Sequence, residues 1–132
     1  MLKKFILLFI IQLFIVNTSI SMEKETTFNK KLFDKAQSEG KVVIVSSWIK
    51  YCSSCASQMK VLNNAKNDGK LFDIKFDNIE YFSFDVTNKD IANMLNVKFQ
   101  TTLLIFKNNN EIYRSLGETT EDLIYEALKK SI

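Results

Sequence analysis

The sequence predicts an α/β domain: a four-stranded mixed sheet with helices on both faces. Three observations carry this reading. Val42 to Ser46 is a short run rich in β-branched residues, the mark of a strand buried on both faces in a parallel pairing. A helical stretch separates it from a second apolar run, Tyr81 to Val86, so these two strands are joined by a helical crossover and lie parallel. Thr102–Phe106 and Glu111–Leu116 are separated only by Lys107 to Asn110, and asparagine tolerates the left-handed backbone of a tight turn, so the last two strands form an antiparallel hairpin.

The remaining elements follow in order. Phe28, Leu32, Phe33 and Ala36 recur at helical spacing between charged residues, and Gly40 ends that helix. Cys52 to about Asn67 carries Ala56, Met59, Leu62 and Ala65 about three residues apart and stops at Asn67-Asp68-Gly69. Leu71 to Asn78 mixes apolar and charged residues and reads as a loop or a short extra helix. Thr87 or Asn88 caps a helix bearing Ile91, Ala92, Met94 and Leu95, with Asp90 near its positive end. Met59 and Met94 are expected in the core. Gly117 breaks the fourth strand. Thr119 with Asp122 suggests a capping box for a last helix to Lys130, with Leu123, Ile124, Ala127 and Leu128 as its apolar face.

At 132 residues the chain is one domain, large enough to bury a core without extra staples. The formal charge of +3 includes Lys3 and Lys4; from Met22 onward the chain is near neutral, and no basic block points to nucleic acid. There is no histidine, which removes the usual general base and the commonest metal ligand, and there is no proline.

Met1 to Lys4 is a short positive start, Phe5 to Val16 is apolar except for Gln12, and Asn17 to Ser21 turns small and polar. This is the pattern of a secretory signal peptide, with Ser19 and Ser21 placed for cleavage before Met22. A retained membrane anchor or a buried first helix are the alternatives, but the apolar run falls short of the roughly 20 residues of a span. The expected organisation is therefore a signal peptide over 1–21, a flexible tail over 22–27 and a domain over 28–132. The mature chain is expected in the periplasm or outside the cell, or anchored facing the periplasm if the segment is retained; disulfides persist there.

The chemistry concentrates in Trp48-Ile49-Lys50-Tyr51-Cys52-Ser53-Ser54-Cys55, directly after the first strand and holding the only two cysteines. A thiol pair two residues apart can close into a disulfide and reopen. Cys52 stands at a helix N-terminus, where unpaired N–H groups and the dipole favour an anion; lowering a thiol pKa from about 8.5 to about 7 makes roughly half of it thiolate at neutral pH. Ser53 and Ser54 are candidate hydroxyl donors to that thiolate. Other readings stay open: an inert structural disulfide, a redox-silent adaptor, or a metal or iron–sulfur module, which two thiolates without histidine complete only across a dimer. Trp48 is either core packing or a groove wall, and Tyr51 shapes the surface beside Cys52.

With Trp48 four residues before Cys52, the Cys52/Cys55 pair, the segment Thr102 to Asn108 and Gly117 before the final helix, the chain resembles the thioredoxin family over about residues 28 to 131. The resemblance implies a thioredoxin-like fold and protein thiol–disulfide exchange. Cys52 would be the nucleophile, Cys55 the resolving thiol, and the two would form the disulfide. Trp48, Tyr51, Gln100 and Thr101 would meet the substrate. No cofactor or metal is implied; the partners would be protein thiols and disulfides and a membrane redox relay, and the protein a monomer.

Two features of the family pattern are replaced. Thr101 stands where a proline, normally cis, begins the strand facing the cysteines, and Ser46 stands where a buried acid helps move the resolving cysteine's proton. A cis bond before a non-proline residue costs about 2.5–4 kcal/mol, so Gln100–Thr101 is expected to be trans. Proton transfer from Cys55 is expected to use water or a distant group such as Lys50 or Asp85.

Overall fold

Strand β1 (Val42–Trp48) runs through the middle of the sheet, and all seven of its residues are buried. The computed structural model describes residues 24–67 and 78–131. Around β1 come α1 (Lys30–Ser38), α2 (Ser53–Asn67), β2 (Ile79–Asp85), α3 (Lys89–Met94), β3 (Thr102–Lys107), β4 (Asn110–Leu116) and α4 (Glu121–Ser131). The sheet order is β2-β1-β3-β4. β1 pairs parallel with β2 from Val42↔Ile79 to Trp48↔Asp85, and antiparallel with β3 from Val43↔Phe106 to Ser46↔Leu103. The mixed sheet and its hairpin are those expected from the sequence. β1 runs two residues further than expected, through Ser47 and Trp48.

Successive side chains of a strand point to opposite faces, so β1 feeds two cores. Val43 and Val45 pack with Phe28, Phe33, Phe84 and Leu104 on one face. Val42 and Ile44 pack with Leu62, Leu103, Ile124 and Leu128 on the other, beneath α2 and α4. Phe33 stands between the rings of Phe28 and Phe106, with centroids 5.4 and 5.0 Å away. The hairpin turns on Asn108 and Asn109, at φ 51° and 63°. Two left-handed residues match the twist of paired strands, and asparagine reaches that region more readily than most side chains.

Asn29 caps α1, and Asn88, one of the two caps expected, caps α3, both through their side-chain oxygens. Other local expectations are corrected. Helix α4 begins later than a Thr119/Asp122 box implies. Thr120 accepts from Ile124 N–H, and the Glu118 carboxylate gathers the N–H groups of Thr119 and Thr120 with the Thr120 hydroxyl, which holds that carboxyl below the usual range. Met94 is exposed, because the short α3 buries Ala92 and leaves the next residue, Leu95, to enter the core. Leu32 and Leu123 are also half exposed.

The tail expectation is corrected for residues 24–27. Thr27 and Phe28 donate their N–H groups to Ser83 O at 2.8 and 3.0 Å, and Ser83 donates its N–H to Thr27 Oγ1 at 2.9 Å and its hydroxyl to Glu25 O at 2.6 Å. This segment is a strap laid along the outer edge of β2. The signal-peptide segment and the Leu71 to Phe76 apolar positions lie outside the described residues.

Leu104 is fully buried between Val45 of β1 and Arg114 of β4. Leu104→Ala is expected to lower the unfolding free energy by about 2–5 kcal/mol, because a cavity opens where relaxation is restricted. Equilibrium denaturation reads this directly, and a loss under about 1 kcal/mol would contradict the tight packing of Leu104 against Val45 in this core.

Candidate active site

The chain leaves β1 at Trp48 and turns through Ile49 to Tyr51 before entering α2. Tyr51 adopts a left-handed φ of 62°, leaving its ring 91% exposed beneath the Lys50 ammonium, 5.1 Å from the centroid. That turn sets Cys52 at the N-cap of α2: its carbonyl accepts from Ala56 N–H at 3.2 Å, and its sulfur accepts from Cys55 N–H at 3.2 Å. An N-cap side chain normally satisfies one of the orphan N–H groups of the first turn. Here sulfur takes that place, so a Cys52 thiolate meets an aimed donor and the positive end of the helix.

Cys52 and Cys55 are joined as a disulfide, 5.3 Å apart at their Cα atoms. Their environments differ. Cys52 is partly exposed, whereas Cys55 is fully buried against Trp48 and Met59. Trp48 is itself buried at 9% exposure, so it packs behind the sulfurs as core.

Thr101 faces the pair from the loop that leads into β3. Its hydroxyl oxygen lies 3.2 Å from Cys55 Sγ, 3.6 Å from Cys52 Sγ and 3.0 Å from Ser54 Oγ. Ser54 Oγ is 3.4 Å from Cys52 Sγ, so Ser54 rather than Ser53 reaches the sulfurs. The peptide bonds of the described residues are all trans, Gln100–Thr101 included, yet Thr101 holds φ at 57°. A β-branched residue in the left-handed region is strained and stays there only where its surroundings fix it. They do. Thr101 N–H donates to Ser47 O at 2.8 Å, and its carbonyl accepts from Gly117 N–H at 2.9 Å and from Gln58 Nε2 at 3.3 Å. The backbone of Thr101 is thus paired internally, and its hydroxyl addresses the sulfurs. Gln100, next to it, is exposed.

Sequence reasoning missed three contributors. Ser47, buried on the opposite face of β1 from the cysteines, donates its hydroxyl to Phe99 O and accepts from Thr102 N–H, clamping the loop that carries Thr101. Gln58 is fully buried and bonds Thr101 O and Glu118 O; a polar residue between Cys55 and Leu62 on the apolar face of α2 was the available signal. Lys24, from the strap, donates to Cys52 O at 2.8 Å and Ile49 O at 3.2 Å, adding a cation to the field at Cys52. Nothing local in the sequence announces that contact.

Ser46, where the family pattern has an acid, holds no charge and hydrogen-bonds Tyr81 Oη at 2.7 Å. The distant groups expected to take the Cys55 proton are turned to other tasks: Asp85 accepts from the N–H and hydroxyl of Thr87, and Lys50 covers Tyr51. Among the described residues no group of three or more His, Cys, Asp and Glu side chains forms, and the metal-module alternative is not favoured.

A reversible sulfur pair at the N-terminus of a helix, accessible on one side and backed by core on the other, defines a disulfide-exchanging α/β protein. The comparisons with known proteins carry this further. The thioredoxin family model matches residues 19–130, and the chain belongs to that family as a thiol–disulfide oxidoreductase. It is 24% identical over 100 residues to an H-type thioredoxin from Fagopyrum esculentum, covering 75% of this chain and 79% of the relative. Among solved structures it resembles Trxlp from Edwardsiella tarda, with a TM-score of 0.65 and 25% identity over 76% of this chain and 94% of that one. It shares the fold of Fasciola hepatica thioredoxin, at a TM-score of 0.59 and 19% identity over 77% and 89% of the two chains.

Burial of its hydroxyl pushes the Tyr81 pKa up to about 12, with the Ser46 bond opposing in part. The folded chain then retains a proton that the unfolded chain releases, so this contribution to stability is complete below about pH 10 and is lost as pH rises toward 12. Phenolate absorbance is expected to show a late-titrating tyrosine that is absent in Tyr81→Phe, with the corresponding alkaline loss of stability reduced. An alkaline phenolate titration unchanged by Tyr81→Phe in its late phase would contradict the buried Ser46–Tyr81 pair.

Proposed function

We propose that this oxidoreductase works outside the cytoplasm as a monomer, reducing or forming disulfides in other proteins and exchanging electrons with a membrane redox relay. The observation that carries the division of roles is the unequal burial of the pair: Cys52 is reachable at the helix cap, and Cys55 is sealed beneath it. In the reductive direction the Cys52 thiolate attacks one sulfur of a substrate disulfide and the other leaves as a thiolate. Cys55 then attacks Cys52 Sγ, re-forming the Cys52–Cys55 disulfide and releasing the second substrate sulfur. The oxidative direction is the reverse.

Exposed apolar side chains surround the approach to this loop. Tyr51, Phe99 and Leu116 are 91%, 58% and 62% exposed, and together with Gln100 they are the surface on which a substrate chain would lie. The pattern of residues 1–21 supports export.

Cys52→Ser is expected to abolish reduction of insulin-type disulfides. Cys55→Ser keeps the attacking sulfur and loses the resolving one, so it accumulates mixed disulfides visible on non-reducing gels. Parental turnover in Cys52→Ser, or substrates trapped on Cys55 instead, would overturn the assignment of roles.

A further inference from the structure

For Cys55 to attack, its thiol must lose a proton, and a fully buried sulfur cannot hand that proton directly to solvent. Among the described residues, the side chains that commonly accept such a proton are not in place. The chain has no histidine, and Ser46, Asp85 and Lys50 are engaged as described. What does touch Cys55 Sγ is the hydroxyl of Thr101 at 3.2 Å, itself only 2% exposed, and that hydroxyl lies 3.0 Å from the hydroxyl of Ser54 on the exposed side of α2.

We propose that Thr101 and Ser54 form the proton path of the resolving thiol, with Thr101 a catalytic residue and the path running Cys55 Sγ, Thr101 Oγ1, Ser54 Oγ, solvent side. This rests on the reading of Cys55 as the resolving cysteine. A hydroxyl both donates and accepts, so it passes a proton without holding a charge. In the step itself Cys55 Sγ bonds to Cys52 Sγ as the bond from Cys52 Sγ to the substrate sulfur breaks. The Cys55 proton moves to Thr101 Oγ1, the proton of Thr101 moves to Ser54 Oγ, and that of Ser54 moves to the departing substrate thiolate or to a water beside it. The Cys52/Cys55 pair is oxidised by two electrons, the substrate disulfide is reduced to two thiols, and no further reactant is needed. In the reverse direction the same path returns a proton to Cys55.

The backbone of Thr101 supports this assignment. Three hydrogen bonds, to Ser47 O and from Gly117 N–H and Gln58 Nε2, hold a β-branched residue in a region it rarely occupies, and the consequence is a hydroxyl aimed between the two sulfurs. An observed outlier of this kind beside reacting atoms points to use rather than accident.

The test is a single-turnover measurement of the resolving step: reduced protein is mixed with a disulfide-bonded protein substrate, and the mixed disulfide is trapped by acid quench and counted over a range of pH. Thr101→Val keeps the β-branched shape and removes the hydroxyl. It is expected to slow resolution on the order of 100-fold, the range of general acid–base contributions, and to make the rate climb with pH as hydroxide takes over. Thr101→Ser should restore the rate to within a few-fold of the parent. Ser54→Ala, at an exposed helix position that leaves folding intact, should slow the same step several-fold and decides the matter if Thr101→Val does not fold. A parental rate and pH profile in Thr101→Val or in Ser54→Ala overturns the path, as does a folded Thr101→Ser as slow as Thr101→Val. A parent protein that forms no mixed disulfide at all would instead overturn the reading of the cysteine roles beneath it.

Discussion

The site depends on β1 being hydrogen-bonded along both edges. A strand paired parallel with β2 and antiparallel with β3, and buried on both faces, has no freedom to slide, because a shift of one residue would turn every apolar side chain to the opposite core. Its last residues therefore act as fixed coordinates. Trp48 ends the strand and delivers the turn into α2, so Cys52 meets the first turn of that helix in one position. Ser47, one residue earlier and on the other face, grips the loop from Phe99 to Thr102. The cysteines and the hydroxyl opposite them are thus placed by neighbouring residues of a single strand.

The electrostatics of the site follow from that placement. Stabilisation of a Cys52 thiolate comes from the Cys55 N–H, the helix end and the Lys24 ammonium held by the strap on the Cys52 carbonyl. Among the described residues, the groups around Cys55 are neutral: Thr101 in front, and the Ser46–Tyr81 pair further along the same face of β1. A neutral surrounding avoids the cost of burying a charge beside apolar Trp48 and Met59. It also means that no carboxylate of the described residues draws the proton from Cys55. The trans peptide before Thr101 and its left-handed φ are the backbone's alternative to a fixed proline.

Periodicity and turn chemistry exposed most of the architecture, since the β-branched run, the helical spacing of Met59, Leu62 and Ala65, and the paired asparagines of the hairpin are local signals. What local signals could not reach were contacts across the chain. Met94 looked like a core residue, but a helix as short as α3 has room to bury only part of one face. Lys24 to Thr27 looked loose because nothing in their composition reveals that the edge of β2 lies beside them. The cysteine pair was legible from its spacing, and its orientation from its place at the start of a helix together with the family resemblance. The part played by Thr101 was not: it needs the register between β1 and β3, which brings residues more than forty positions apart in sequence to within a hydrogen bond of each other.

The central claim is that the Cys52–Cys55 disulfide is an exchangeable couple rather than a structural staple. A redox titration of the purified protein against glutathione buffers, following the thiol count, tests it most directly. The account predicts a reversible two-electron transition between about −120 and −270 mV, the range of dithiol oxidoreductases. A disulfide that stays closed to potentials below about −300 mV, as structural disulfides do, would contradict it.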